Sequence, residues 1–159
     1  MNVLKFEKIV EDLLIQHNLK IYNSSLQDIS NKLNIDLYFL YSPCRALKDN
    51  YNSSSKGIII LNKDLNYIEQ RVAFFHEITH ILLKHLEYCD SLTNSELKFL
   101  EKQTCDLSLI LAMPKYEILN LNIINFCQPI DTTISEISEL YSMPRKLVET
   151  RLNQIKAST

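Results

Sequence analysis

Glycine is almost missing from this chain: Gly57 is the only one among 159 residues. Phosphate-cradling loops and dinucleotide fingerprints need several glycines at fixed offsets, so both are excluded. Cys-x-x-Cys pairs are missing too. The four cysteines, Cys44, Cys89, Cys105 and Cys127, are scattered, which fits reduced thiols in a cytoplasm better than a disulfide frame. No apolar run approaches the ~18 residues of a membrane-spanning helix. The opening segment, MNVLKFEKIVEDLL, sets Glu7, Glu11 and Asp12 among its apolar positions. It has neither the basic segment nor the small-residue cleavage site of a secretory signal. Charge of one sign is also lacking. A formal net charge of −2 disfavours nucleic-acid binding by bulk attraction, although a local basic face stays open. The expectation is a soluble cytoplasmic protein with no membrane partner.

What is present is enough for a core. Apolar residues make up 46% of the chain and charged residues 23%, and this length suits one compact domain. Val3, Phe6, Val10, Leu13 and His17 fall at helical spacing, so residues 3–17 are expected to form an amphipathic helix. Ser25 can cap a second helix running to about Leu33, with Asp28 in its first turn. Residues 35–40, IDLYFL, alternate as a strand does. The polar stretch KDNYNSSSK reads as a mobile loop, and Gly57 then opens the apolar strand IIIL.

From about Asn66 to His85 the pattern is a helix apolar almost all round, which belongs in the middle of a fold. Another helix is expected at 94–112, ended by Met113-Pro114. Two more are expected at 133–141 and 144–156, with Pro144 in a first turn. The fold class is therefore α+β: mostly helical, with a small sheet in the N-terminal half and a C-terminal helix pair. The expected organisation is a single domain over 1–159, with an N-terminal helix in 1–20, a core in 20–115 and a helical part in 116–159.

Chemistry concentrates at residues 76–80, His-Glu-Ile-Thr-His. On a helix, positions i and i+4 lie about 40° apart, so His76 and His80 project from one face. That spacing offers two imidazole nitrogens to one tetrahedral zinc. Glu77 projects elsewhere and can act as general base on a water rather than as a ligand. Chance could also produce the pattern. However, Val72, Phe74, Phe75, Ile78, Ile81 and Leu82 surround it, and burying three ionisable groups among them costs several kcal/mol without a partner. A metal supplies that partner.

A third ligand is needed. His85 falls about 180° from His76 if the helix continues, so it is expected to point away. Leu86 stands where the elongated zinc motif would carry a histidine. Glu87, Asp90, Glu96 and Glu101 remain as candidates. Glu101 is preferred because Thr104, Cys105, Ser108 and Ala112 continue its helix face as a stripe of small residues, which lets two helices approach closely. Glu96 lies off that stripe.

These residues resemble the ImmA/IrrE-type metallopeptidases. The likeness runs through Gln70-Arg71, His76-Glu77-Ile78-Thr79-His80-Ile81-Leu82-Leu83, Glu101 and Leu111-Ala112-Met113-Pro114, and extends over about residues 20–153. The resemblance implies a zincin-like domain with a gluzincin-like metal site. It implies one zinc per chain on His76, His80 and Glu101, with Glu77 as the catalytic base. Counting back from Met113-Pro114 places the family's glutamate ligand on Glu101. Thr79 stands where glycine is usual and Thr104 where alanine is usual. Cys105 stands where Asn or Asp often orients a zinc histidine, with Asp106 one residue off; a small buried thiol is the expectation for Cys105. Such proteins are often encoded on phages and other mobile elements. There they cleave or inactivate a helix-turn-helix repressor, which makes that the implied partner.

A rival reading takes residues 134–152 as a helix-turn-helix, with Leu140, Leu147 and Leu152 as its core and Arg145, Lys146 and Arg151 offered to phosphate. The protein would then be a metal-bearing DNA-binding regulator. Glu136, Glu139 and Glu149 lie among those bases and weaken the footprint. A further rival keeps the metal but only sequesters a repressor, without proteolytic turnover. Eight tyrosines leave an oxyanion stabiliser open. An exposed sheet edge would suit an extended substrate.

Overall fold

The computed structural model describes residues 3–50, 55–87, 91–121 and 129–157. Cys89, Asp90, Cys127 and part of the KDNYNSSSK stretch lie outside the described residues. The fold is α+β and mostly helical, with one three-stranded sheet in the N-terminal half. The helices are α1 (Val3–Gln16), α2 (Leu26–Lys32), α3 (Tyr67–Leu82), α4 (Asn94–Ala112), α5 (Lys115–Asn120), α6 (Ile130–Tyr141) and α7 (Arg145–Ala157). The strands are β1 (Ile35–Leu40), β2 (Arg45–Leu47) and β3 (Gly57–Asn62). Among the described residues no helix is long and apolar enough to cross a membrane.

The chain packs as two compact units, residues 25–108 and residues 1–24 with 109–159. In the first unit, α2 starts where the sequence signals it. The Ser25 hydroxyl accepts from the Asp28 backbone N–H at 3.1 Å, and the Asp28 carboxylate accepts from the Ser25 N–H at 3.3 Å, a reciprocal capping box. β3 is the central strand, parallel to β1 on one side and antiparallel to β2 on the other. Its Ile59, Ile60 and Leu61 are buried, and α3 packs against β3 and β2. Gly57 has a packing reason. A Cβ there would meet Ile81 Cδ1 at 3.0 Å and the Leu47 carbonyl oxygen at 3.1 Å, so a side chain would push α3 or β2 away by a few tenths of an ångström. β2 escaped the sequence because three residues are too few to display a period.

α3 opens on an Asn66–Glu69 capping box and stops earlier than expected. Leu83 closes it and Lys84 turns left-handed at φ 57°, so His85 lies in a separate short turn, His85–Glu87. α4 has the expected bounds. Thr93 and Glu96 cap it: the Thr93 N–H donates to Glu96 Oε2 at 2.8 Å and the Thr93 hydroxyl donates at 2.6 Å.

In the second unit the buried line of α1 is Phe6, Val10 and Leu14. Val3 and Leu4 are exposed, which corrects the expected stripe. The short helix α5 was not anticipated, because Pro114 reads as a stop and here serves as the cap that restarts the chain. Its Glu117 is buried, accepting from the Ile21 N–H at 2.7 Å and the Tyr141 hydroxyl at 3.3 Å. Burial, and then that carboxylate, pushes the Tyr141 phenol far above its ordinary range.

The C-terminal pair α6–α7 differs from the expected helix-turn-helix in its inner residues. Ile137, Tyr141, Met143, Val148, Leu152 and Ile155 are buried, whereas Leu140 and Leu147 are half-buried. Arg151 is not available to phosphate. It is wholly buried, donating from Nε to the Met113 carbonyl at 2.8 Å and pairing with Glu7 Oε1 at 2.8 Å. Arg145 is paired with Asp131. A basic face built on these residues keeps only Lys146 of its three cations unengaged by these pairings, which counts against the DNA-binding reading.

Candidate metal centre

Within the unit of residues 25–108, α3 and α4 bring three sequence-predicted residues to one point. Their facing atoms lie within hydrogen-bonding distance of one another. His76 Nε2 lies 3.1 Å from His80 Nε2 and 3.1 Å from Glu101 Oε2. His80 Nε2 lies 3.3 Å from Glu101 Oε1. A zinc with bonds of ~2.0–2.1 Å in a tetrahedron sets its donor atoms about 3.3 Å apart, close to the separations of these nitrogens and carboxylate oxygens. The chemistry also fits. Two imidazole nitrogens and a carboxylate converge on one place, a donor set that suits a cation. Among the described residues His76, His80 and Glu101 are the group that could hold a metal ion.

On α4, Thr104 and Ser108 are buried, and the Thr104 hydroxyl donates back to the Leu100 carbonyl at 2.9 Å. Cys105 departs from the expectation of a buried thiol. It is exposed, with Sγ 3.8 Å from His76 Nδ1, because its position on α4 faces the rim of the cluster while Thr104 takes the inward place. Burial, then the Glu101 and Asp106 carboxylates, push the Cys105 thiol up, so it stays a neutral thiol.

Of the other third-ligand candidates, Glu96 is committed to the α4 cap, which holds its carboxyl below the ordinary range. Glu87 is exposed in the short turn after α3 and is not among the clustered residues. Asp90 lies outside the described residues.

Glu77 is half-buried on α3, next to His76 in the chain and turned toward β2. Its carboxylate accepts a hydrogen bond from the Ala46 backbone amide. Burial raises its pKa, the nearby Glu101 carboxylate adds to the rise, and His76 and the Ala46 amide oppose it. A carboxylate raised in this way is a better proton acceptor than a solvated one. Thr79, where the sequence departs from the usual glycine, is buried and bonds inward, its hydroxyl donating to the Phe75 carbonyl at 2.7 Å.

The structure corrects the expectation for His85. Because α3 ends at Leu82, the ring does not continue round the helix but returns to the cluster side. Its Nδ1 stands 3.0 Å from His80 Nδ1 and 3.3 Å from Thr104 Oγ1. Burial and the neighbouring His80 pull its pKa down to about 4, so it is neutral at ordinary pH. Burial also lowers His80, against the pull of Glu101, keeping that ring in the form a metal needs. No glycine or proline marks the end of α3, which is why the sequence did not foretell this contact.

Over residues 31–153 the chain matches the peptidase family described as the IrrE N-terminal-like domain. No curated protein matches it.

Proposed function

The chain belongs to the IrrE N-terminal-like family of metallopeptidases, and we propose that it is a zinc endopeptidase directed at a helix-turn-helix repressor of a phage or other mobile element. The observation that carries the zinc assignment is the convergence of His76, His80 and Glu101, whose facing nitrogens and carboxylate oxygens approach to 3.1–3.3 Å. One zinc per chain would be held by those three residues and leave a fourth position open. When bound, zinc supplies Lewis acidity, polarising a peptide carbonyl and making a water easier to deprotonate.

The chain's own residues do the rest. Glu77, lifted by burial and aimed by the Ala46 amide, accepts the proton of the attacking water and then delivers it to the departing amide nitrogen. Burial favours the neutral form of His80. β2 is an edge strand of the sheet, and its contact with Glu77 supports an extended substrate laid along that edge. The repressor as substrate is supported by the family likeness. The working compartment is the cytoplasm, where such a repressor acts.

Mass spectrometry of a repressor co-expressed with this protein tests the proposal. Defined fragments are expected with intact Glu77 and none with Glu77→Gln. Full relief of repression by the uncut repressor with Glu77→Gln would favour the sequestering alternative instead.

A further inference from the structure

Two imidazoles meet beyond the end of α3, and the metal cluster uses only one of them. His80 turns Nε2 to His76 and Glu101, while its Nδ1 lies 3.0 Å from Nδ1 of His85. Both rings are buried, His80 at 8% and His85 at 3% exposure. Their planes are inclined by 70° with centroids 5.1 Å apart, so the contact runs nitrogen to nitrogen rather than face to face. The backbone bends to make it. Lys84, immediately before His85, holds a left-handed φ of 57°, a conformation that residues with a Cβ disfavour.

A neutral imidazole has one N–H and one lone pair, on different nitrogens. If Nε2 of His80 gives its lone pair to a metal, the ring's proton sits on Nδ1, and the atom facing Nδ1 must accept. We infer that His85 is a positioning residue for the metal site: its Nδ1 accepts the His80 Nδ1–H and so fixes the tautomer and orientation that present His80 Nε2 to the metal. The inference rests on the reading of His80 as a ligand. It assigns the proton of His85 to Nε2.

Thr104 does not compete for that lone pair. Its Oγ1 lies 3.3 Å from the same His85 nitrogen, but its hydroxyl proton goes to the Leu100 carbonyl at the shorter 2.9 Å. The lone pair of His85 is thus left for His80. Carboxylates and backbone carbonyls usually fill this position. A neutral histidine here orients the ligand without adding a third negative charge beside Glu77 and Glu101.

Long-range proton–nitrogen NMR on the unmodified zinc-loaded protein reads the tautomers directly. His80 is expected to carry its proton on Nδ1, and His85 to have a bare Nδ1 and a protonated Nε2. In chelator competition, His85→Leu is expected to bind zinc about 10- to 100-fold more weakly. His85→Gln, which keeps an acceptor oxygen, should recover most of that loss. A proton on His85 Nδ1 in the loaded protein, or His85→Leu binding zinc as tightly as the parent, overturns the inference while leaving the metal site intact. Should His85→Leu fail to fold, the NMR of the unmodified protein decides by itself. If the unmodified protein takes up no zinc in the same competition, the metal-site reading falls and this inference with it, a result separate from the other two.

Discussion

The unit of residues 25–108 and the unit of residues 1–24 with 109–159 put their polar side chains to different uses. In the latter, buried charged groups are tied to partners. Glu117 takes protons from the Ile21 amide and the Tyr141 hydroxyl, and Arg151 is held between Glu7 and the Met113 carbonyl. In the former, His76, His80 and Glu101 converge, and burial raises the pKa of Glu77 beside them. Paired buried groups hold a fold, whereas a converging set of nitrogen and oxygen donors at the surface suits a cation. The difference separates scaffold from site without reference to any motif.

Substitutions in the two units should therefore report through different observables. The largest effect is expected for Glu77→Gln, which should lower substrate cleavage by about 10²- to 10⁴-fold, the usual worth of a general base. Its zinc content, measured by elemental analysis, should stay at that of the parent. Next comes Arg151→Ala. Removing one partner of a buried ion pair typically costs about 3–5 kcal/mol, so its melting temperature should fall sharply while zinc affinity of the folded fraction is retained. Equal loss of zinc affinity and stability in that variant would erase the contrast between the units.

Glu101→Ala should weaken zinc binding by about 100-fold or more, since a ligand matters at least as much as the groups behind it. Glu96→Ala, on the same helix, should leave affinity unchanged and remove only a cap. Zinc binding that survives Glu101→Ala but not Glu96→Ala would transfer the ligand role.

The smallest effect concerns acid. The carboxyls of Asp28 and Glu96 are held below their ordinary values by the Ser25 and Thr93 hydroxyls. A folded-state pKa lower than the unfolded one means a contribution fully present above about pH 4 and lost as pH falls through the folded value. NMR titration of both carboxyls should give midpoints below those of unstructured peptides. Ordinary midpoints would show the caps open in solution.

Where the chain punctuates itself, the elements were legible. Ser25 with Asp28 marked α2, Met113-Pro114 marked the end of α4, and Gly57 marked β3. The pairing of His76, His80 and Glu101 followed from two local rules, i to i+4 spacing on α3 and a narrow small-residue stripe on α4. What escaped had no local mark. α3 ends inside an apolar run with no Gly or Pro, so His85 was assigned to the wrong side. Arg151 looked like a surface cation because its partner, Glu7, is far away in the chain. β2 and α5 are too short for periodicity to reveal.

By itself the sequence determined which groups can bind a metal, because ligand chemistry and helical spacing are properties of a few neighbouring residues. Only the tertiary structure decided which charges were buried and which ring stood behind His80. Those outcomes depend on segments far apart in the chain excluding water together, and no local pattern records where that happens.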